Sequence, residues 1–339
     1  IAAGAVPDCG HIFNLSRMNR ILRIRHDPAQ NAYFVTVQPG LLLSELRLAI
    51  SKNKFEGVTT TGNPQSAISN FFFPPDPTEA SASLGGMAAC NASGARTFSF
   101  GSTRKYVEQA RIVLIDGSVL ELKRGAQKCR GRSFSVTTDT GRVISGAAPS
   151  YAMPAVKNAA GYFAEDGMDV LDLFIGSEGT LGVFSEIEFR LMPAPKVLWG
   201  VMTFFPSEDS ALRFVLQIRD DATRPAAIEF FDKGALNLLR EQKRTNPAFG
   251  EIPDMPPPWH TAVYVEYHGD DEATVENAVM TMYGKMTEAG ADGDATWLAS
   301  DEREMERLKK FRHAVPEAVN LRIDEKRKKE PGLTKLGTD

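Results

Sequence analysis

Residues 73–106 read FPPDPTEASASLGGMAACNASGARTFSFGSTRKY, with few large side chains before Arg96. Gly85, Gly86, Gly94 and Gly101 are spaced through this stretch among Ser, Thr and Asn. Glycine has no Cβ, so backbone N–H groups here can come close to an anion. A pyrophosphate is the natural guest of such a surface, and a run of tight turns is the alternative for the glycines alone. A second cluster, Gly176-Ser177-Glu178-Gly179-Thr180-Leu181-Gly182, feeds straight into an apolar–polar alternation from Val183. By itself it reads more readily as a structural bend. Neither cluster is GxGxxG, and no GxxxxGK(S/T) occurs, so a nucleotide here calls for a fold other than the Rossmann or P-loop types.

Working outward, Tyr33–Val37 is a predicted strand stopped by Pro39-Gly40, and 41–52 has helical spacing at Leu42, Leu43, Leu46 and Ile50. Arg111–Ile115 and Ser118–Leu122 flank Asp116-Gly117, which predicts a hairpin with a two-residue turn of positive φ. Val183–Leu191 is a half-buried strand with Val183, Ile187, Phe189 and Leu191 expected on one side. Pro193 and Pro195 then stop it and mark a boundary between domains 1–193 and 194–339.

Beyond the boundary the patterns alternate as strand 197–205, helix 207–219, strand 226–231, helix 233–243, strand 261–267, helix 272–289 and strand 295–298. With one extra helix, that is the order of a ferredoxin-like split βαβ unit, so the second domain is α+β. In 301–330, Met305, Leu308, Phe311, Val315, Val319 and Ile323 recur at helical steps. Pro316 inside this run predicts a kink, or a second helix starting near it. The chain opens on Ile1 and closes on Lys335-Leu336-Gly337-Thr338-Asp339 without capping character, so both natural ends are expected to lie outside it.

Composition narrows the partners. A chain with 42% apolar and 24% charged residues fits a soluble globular protein of about two domains. The net charge is −4 and no basic run interleaves with aromatics, which argues against nucleic acid. Lys326-Arg327-Lys328-Lys329 reads as the solvated end of a helix. Cys9, Cys90 and Cys129 lie far apart without CxxC spacing, which favours a reducing compartment over a disulfide framework. No apolar run approaches the ~18 residues of a membrane span. The expected location is the cytoplasm, or the membrane periphery through a partner. His11, His26, His260, His268 and His313 show no HxxxH or HExxH spacing and are expected to be structural or exposed, not metal ligands.

Three strings in order, residues 74–107, KNAAGYF at 157–163 and DLFIGSEGTLGVFSEIEFRL at 172–191, resemble the flavoproteins of vanillyl-alcohol-oxidase type, which carry a PCMH-type FAD-binding domain. Within them the likeness is to the D-lactate dehydrogenase and glycolate oxidase branch. The resemblance implies an α+β fold: a two-subdomain FAD-binding domain over 1–193, then a ferredoxin-like antiparallel-sheet cap domain over 194–339. It implies FAD, held non-covalently, because no Cys or His stands inside SLGGM. Pro75, Asp76, Thr78, Ser83, Gly85, Gly86, Asn91 and Gly94 match the part lining the pyrophosphate and ribityl chain. Glu178, Gly182 and Val183 match the contacts from the other subdomain. Lys157, Asn158 and Tyr162 match a segment near the flavin ring, with core packing the alternative for Tyr162.

The stretch Phe311-Arg312-His313-Ala314-Val315-Pro316-Glu317 resembles the helix whose arginine clamps a substrate carboxylate, which makes Arg312 the expected anchor. A guanidinium offers a planar fork that grips a carboxylate with two charge-assisted bonds, and a surface ion pair is the alternative. Lys335 matches a second carboxylate-facing cation more loosely. The implied activity is oxidation of a small D-2-hydroxy acid of the lactate, glycolate or 2-hydroxyglutarate type, with electrons passing to an unidentified acceptor and a homo-oligomer or partner subunit as the expected assembly.

Two departures stand out. The Gly-rich phosphate loop expected ahead of Ala2–Pro7 is missing or reduced. The family's proton-accepting and metal-binding histidines would fall beyond Asp339, so the general base, and the ligands of any divalent metal, are expected outside the chain. An FAD-carrying electron-transfer subunit with substrate chemistry elsewhere is the second reading. A non-redox use of FAD in ether-lipid synthesis is a third.

Overall fold

The strand Val183–Arg190 lies in the interior of a six-stranded sheet. The computed structural model describes residues 11–55, 57–61, 67–159, 161–256 and 258–333. Contacts divide the described residues into two units, one ending at Ala194 and the other beginning at Pro195. In the first unit the elements run β1 (Ile21–Asp27), β2 (Ala32–Val37), α1 (Leu43–Ser51), β3 (Thr59–Thr61), β4 (Phe71–Phe72), α2 (Leu84–Ala89) and α3 (Thr97–Phe100). They continue as β5 (Val107–Val113), β6 (Val119–Lys123), β7 (Ser133–Thr137), β8 (Val143–Ala147), α4 (Leu171–Phe174), β9 (Val183–Arg190) and β10 (Met192–Pro193).

Six strands form one sheet in the order β3-β1-β2-β9-β5-β6, with β7–β8 and β4–β10 as separate pairs. Only β1–β3 is parallel in the six-stranded sheet. All of β2 is buried, and α1 packs Leu43, Leu46 and Ile50 inward as its spacing dictates. Ile187 and Phe189 of β9 are fully buried, and the Phe73 ring meets Phe189 edge-on at 5.1 Å.

Two local expectations are corrected. In β9, Ile112 pairs with Phe184 while Arg111 pairs with Glu186, so Ser185 is one residue too many. Such a bulge flips the faces on its far side. Phe184 therefore points inward at 6% exposure and Val183 outward at 39%. In the β5–β6 hairpin, Val113 pairs with Val119, which leaves a connection longer than two residues. Only Gly117 in it has a positive φ, of 83°, and its N–H closes a turn onto the Leu114 carbonyl at 2.9 Å. The Asp116 side chain instead accepts hydrogen bonds from the Ser118 N–H and hydroxyl.

The second unit contains β11 (Val197–Phe205), α5 (Glu208–Ile218), β12 (Ala227–Phe231), α6 (Lys233–Thr245), β13 (Thr261–Gly269), α7 (Glu272–Glu288), β14 (Trp297–Ala299) and α8 (Glu302–Arg327). Its strand order β12-β13-β11-β14, antiparallel throughout, is that of the ferredoxin-like split βαβ unit. Val201, Val263, Val265 and Tyr267 on one face pack with Ala211, Phe214, Val275 and Met282 of α5 and α7. Side chains alternate along a strand, so Tyr264, Glu266 and His268 share the other face, and α8 packs against β11 and β14.

Helix α8 is continuous from Glu302 to Arg327 with Pro316 inside it, so no second helix starts there. Proline costs an interior helix about 3 kcal/mol and leaves the carbonyl four residues back without its donor. Burial of Leu308, Phe311, Ala314 and Ala318 holds the helix through that cost. The carbonyl concerned is that of Arg312.

The bulge gives a direct test by urea unfolding. Phe184→Ala is expected to cost about 3–5 kcal/mol, as for a buried aromatic. Val183→Ala is expected to stay within about 1 kcal/mol. A regular alternation along β9 would reverse that order.

Candidate functional site

Helix α2 starts at Ser83, whose Oγ accepts the Gly86 N–H at 3.2 Å. Its next amides are already engaged: Leu84 N–H donates to the Leu41 carbonyl and Gly85 N–H to the Pro39 carbonyl, both at 2.8 Å. This contact is tight enough that a Cβ on Gly85 would lie 2.4 Å from the Pro39 Cβ. Gly86, one residue on, is exposed, and a Cβ there would meet only the Ser83 hydroxyl. A cavity of about 480 Å³ opens beside it, with Ser83, Gly85 and Gly86 on its wall together with Gly179, Gly182 and Val183. The two glycine clusters, far apart in sequence, thus line one space.

The second cluster is fixed by main-chain bonds to α2. Gly176 N–H donates to the Ala88 carbonyl at 3.0 Å and Glu178 N–H to Ala89 at 2.8 Å. Gly176, Glu178 and Gly179 all have positive φ, at 86°, 55° and 78°. For glutamate that region costs about 1–2 kcal/mol, so the exposed Glu178 is held there by its surroundings. At the far end, a Cβ on Gly182 would come within 2.7 Å of the Ile112 side chain.

A second cavity, of about 330 Å³, is lined by Asn91, Arg104, Lys157, Asn158, Phe163 and Glu165 among others. Asn91 is buried, has a φ of 47° and accepts the Arg104 N–H on its side-chain oxygen at 2.9 Å. Tyr162 reaches the loop of the second glycine cluster by a 2.7 Å bond between its hydroxyl and that of Thr180. Cys90 and Cys129 are free thiols. Burial, with Glu178 adding to it, pushes the Cys90 thiol above its usual range, so it stays protonated and is no nucleophile at neutral pH.

Pro75, Asp76, Thr78 and Gly94 are not among the residues lining either cavity. Arg47 binds the Pro75 carbonyl at 3.0 Å and the Asp76 carboxylate at 2.9 Å. A Cβ on Gly94 would lie 1.8 Å from the Asp76 carbonyl oxygen, so this glycine admits a crossing of two backbone segments. Thr78 is exposed. Lys335 lies outside the described residues.

In the second unit, Arg312 forms an ion pair with Glu229 and lies 4.4 Å above the Tyr264 ring. Its side chain is only 9% exposed, so it is no surface ion pair. Tyr264 donates to the buried Glu266 at 2.8 Å, and the other oxygen of Glu266 meets His268 Nε2 at 2.6 Å.

Several of these residues carried no role in the sequence: Arg104 on the second cavity, Glu229 and Tyr264 beside Arg312, and Glu266 beside Tyr264. For the last group a signal existed, because VYVEYH places polar groups at alternate positions of an apolar strand. Among the described residues no group of three or more His, Cys, Asp or Glu side chains could hold a metal ion.

FAD needs an extended groove, close approach of backbone to its phosphates and nearby polar side chains. The two cavities fall within the ~300–1,000 Å³ range of small-molecule sites. Gly86 and Gly179 are exposed, and a Cβ on Gly179 would meet no protein atom within 4 Å, so both leave backbone open to a ligand. The residues present therefore fit FAD.

The comparisons agree. Residues 63–123 match the model of the FAD binding domain and 194–331 that of the FAD linked oxidases, C-terminal domain. A protein of Danio rerio named as a probable mitochondrial D-lactate dehydrogenase is 28% identical over 304 residues, covering 90% of this chain and 48% of the relative. The glycolate oxidase subunit GlcD of Bacillus subtilis is 26% identical over 71% of this chain and 40% of its own length. D-2-hydroxyglutarate dehydrogenase of Escherichia coli is 27% identical over 86% of this chain and 28% of its own. The chain thus spans about half or less of the curated relatives it matches. Among solved structures, an alkyldihydroxyacetonephosphate synthase superposes with a TM-score of 0.57 at 17% identity, covering 88% of this chain and 48% of that one. 4-Ethylphenol oxidase of Gulosibacter chungangensis gives 0.53 at 15%, over 88% and 51%. These two likenesses concern the fold.

Adjacent glycines separate packing from ligand binding. Gly85→Ala is expected to lose about 1–3 kcal/mol of stability by overpacking against Pro39. Gly86→Ala should keep its melting temperature, helped by helix propensity, yet weaken flavin uptake. Thermal melts and flavin fluorescence titrations of the two variants read out both quantities.

Proposed function

We propose, from the premise that this chain belongs to the PCMH-type FAD-binding flavoproteins, that the whole protein is an FAD-dependent dehydrogenase or oxidase of small D-2-hydroxy acids. The observation that carries the proposal is the single cavity where Ser83, Gly85 and Gly86 meet Gly179, Gly182 and Val183. It sits in a chain whose second unit matches the C-terminal domain of FAD-linked oxidases.

In this reading Gly86 offers its open backbone to the phosphates, Ser83 and Gly85 line the groove beside it, and Gly182 and Val183 close it. Asn91, Lys157 and Asn158 supply polar contacts in the neighbouring cavity, while Glu178 and Tyr162 shape the loop between. Pro75, Asp76 and Gly94 brace the segment that leads into Ser83, through Arg47 and through their own backbone contact. Bound FAD supplies the two-electron acceptor for the hydride on the substrate Cα. Arg312 grips the substrate carboxylate, and Glu229 and the Tyr264 ring fix its guanidinium plane so that orientation is set in advance. Lys335 is assigned a second contact to the same carboxylate.

The hydroxyl proton passes to a general base, a role that contributes about 10²–10⁴-fold in rate. A second protein or small molecule then accepts the electrons. Cytoplasmic residence, with membrane contact through a partner, fits this role. The second reading, an FAD-carrying subunit of a larger assembly, draws on the similarity to a protein named as a subunit.

The test is the visible spectrum of the full-length protein, recorded anaerobically before and after D-lactate, glycolate or D-2-hydroxyglutarate. Flavin bands that bleach with one acid are expected. Bands that none of the three bleaches would leave the carrier reading in place, and their absence from the purified protein would remove the cofactor. Arg312→Lys should lower kcat/KM by roughly 30-fold or more, about 2 kcal/mol, because a point charge does not replace a planar fork.

A further inference from the structure

We infer that Arg104 is a positioning residue for the cofactor groove: its guanidinium fixes the turn into Gly176–Gly179, one wall of that groove. The inference rests on the reading that this groove holds FAD.

Arg104 ends the glycine-rich motif, and its side chain is only 16% exposed. One terminal nitrogen donates to the Asp172 carbonyl and the other to the Ile175 carbonyl. These two carbonyls belong to α4 and its cap, where no helical N–H remains to bond them. The next residue is Gly176, where a Cβ would lie 3.3 Å from both Arg104 Nη2 and the Asn91 Cβ. The guanidinium carbon lies 4.4 Å from the Phe163 ring centre, and the Arg104 main-chain N–H is anchored on Asn91. One residue thus joins the end of α2, through its main chain, to the turn after α4 and the segment carrying Phe163, through its side chain.

The carboxylate of Asp172 has a second cation. Arg124 reaches its two oxygens through separate nitrogens, each at 3.1 Å. Replacing Arg104 leaves Asp172 paired with Arg124, so no buried charge is stranded. What the replacement removes is the pair of carbonyl bonds that aim the chain into Gly176. Lysine, with a single ammonium, cannot reproduce two diverging bonds together with a flat face on Phe163.

The experiment uses the full-length protein carrying Arg104→Lys, with Phe163→Leu as a milder second variant. Three quantities are read: apoprotein circular dichroism and melting, FAD affinity by flavin fluorescence, and hydrogen exchange at the Gly176 and Glu178 amides against Ala110 and Ile112 of β5. Arg104→Lys is expected to weaken FAD binding by roughly tenfold or more, to speed exchange at Gly176 and Glu178, and to leave β5 protected. Its bound-flavin spectrum should shift, and Phe163→Leu should move each quantity less in the same direction.

FAD affinity within about twofold of wild type would overturn the inference. Loss of protection across β5 and β9 would also do so, since Arg104 would then serve the fold at large. A wild-type protein that takes up no FAD would instead sink the cofactor reading itself, and the positioning role with it.

Discussion

The contact of Gly85 with Pro39 sets the frame of the first unit. The Gly85 N–H bonds the Pro39 carbonyl, and the missing Cβ lets two backbones meet where any side chain would collide. That contact seats α2 against the turn between β2 and α1. The carbonyls of Ala88 and Ala89 at its far end then receive the amides of Gly176 and Glu178. One omitted carbon therefore fixes a helix, and the helix fixes a loop.

Much of this was legible because it is local. Leu43, Leu46 and Ile50 announce α1 by their spacing, and the order of elements after Pro195 spells out the split βαβ unit. The bulge at Ser185 was not legible, because it exists only in the count of residues on two paired strands. Nor was the bond from Arg104 to Ile175, which spans 71 positions and has no period to betray it. The Asp116-Gly117 turn misled for a related reason. The dipeptide indicates that the chain reverses, while the pairing of Val113 with Val119 decides how many residues the reversal takes.

The site was legible unevenly. The glycine clusters marked the groove, yet only some of the expected contacts line it. Gly94 and Asp76 serve each other, a distinction that composition does not carry, since a glycine beside a ligand and one beside a carbonyl look alike in a string. In the second unit the alternation along β13 places Tyr264, Glu266 and His268 on one face. It does not disclose that Glu266 is buried to 1% exposure, with Tyr264 and His268 each bonded to one of its oxygens.

The place of β9 in the sheet also bears on how this unit forms. It pairs with both β2 and β5, yet it is the last of the six strands to leave the ribosome. Until it arrives, β2 and β5 each keep an unpaired edge, and such edges invite pairing with other chains. The closing contacts join residues near position 35 to residues near 188, a separation that slows folding through loop entropy. Synthesis of the first unit thus passes through a stage when two β-rich fragments wait for their central member, and a chaperone that shields those edges would act in that interval.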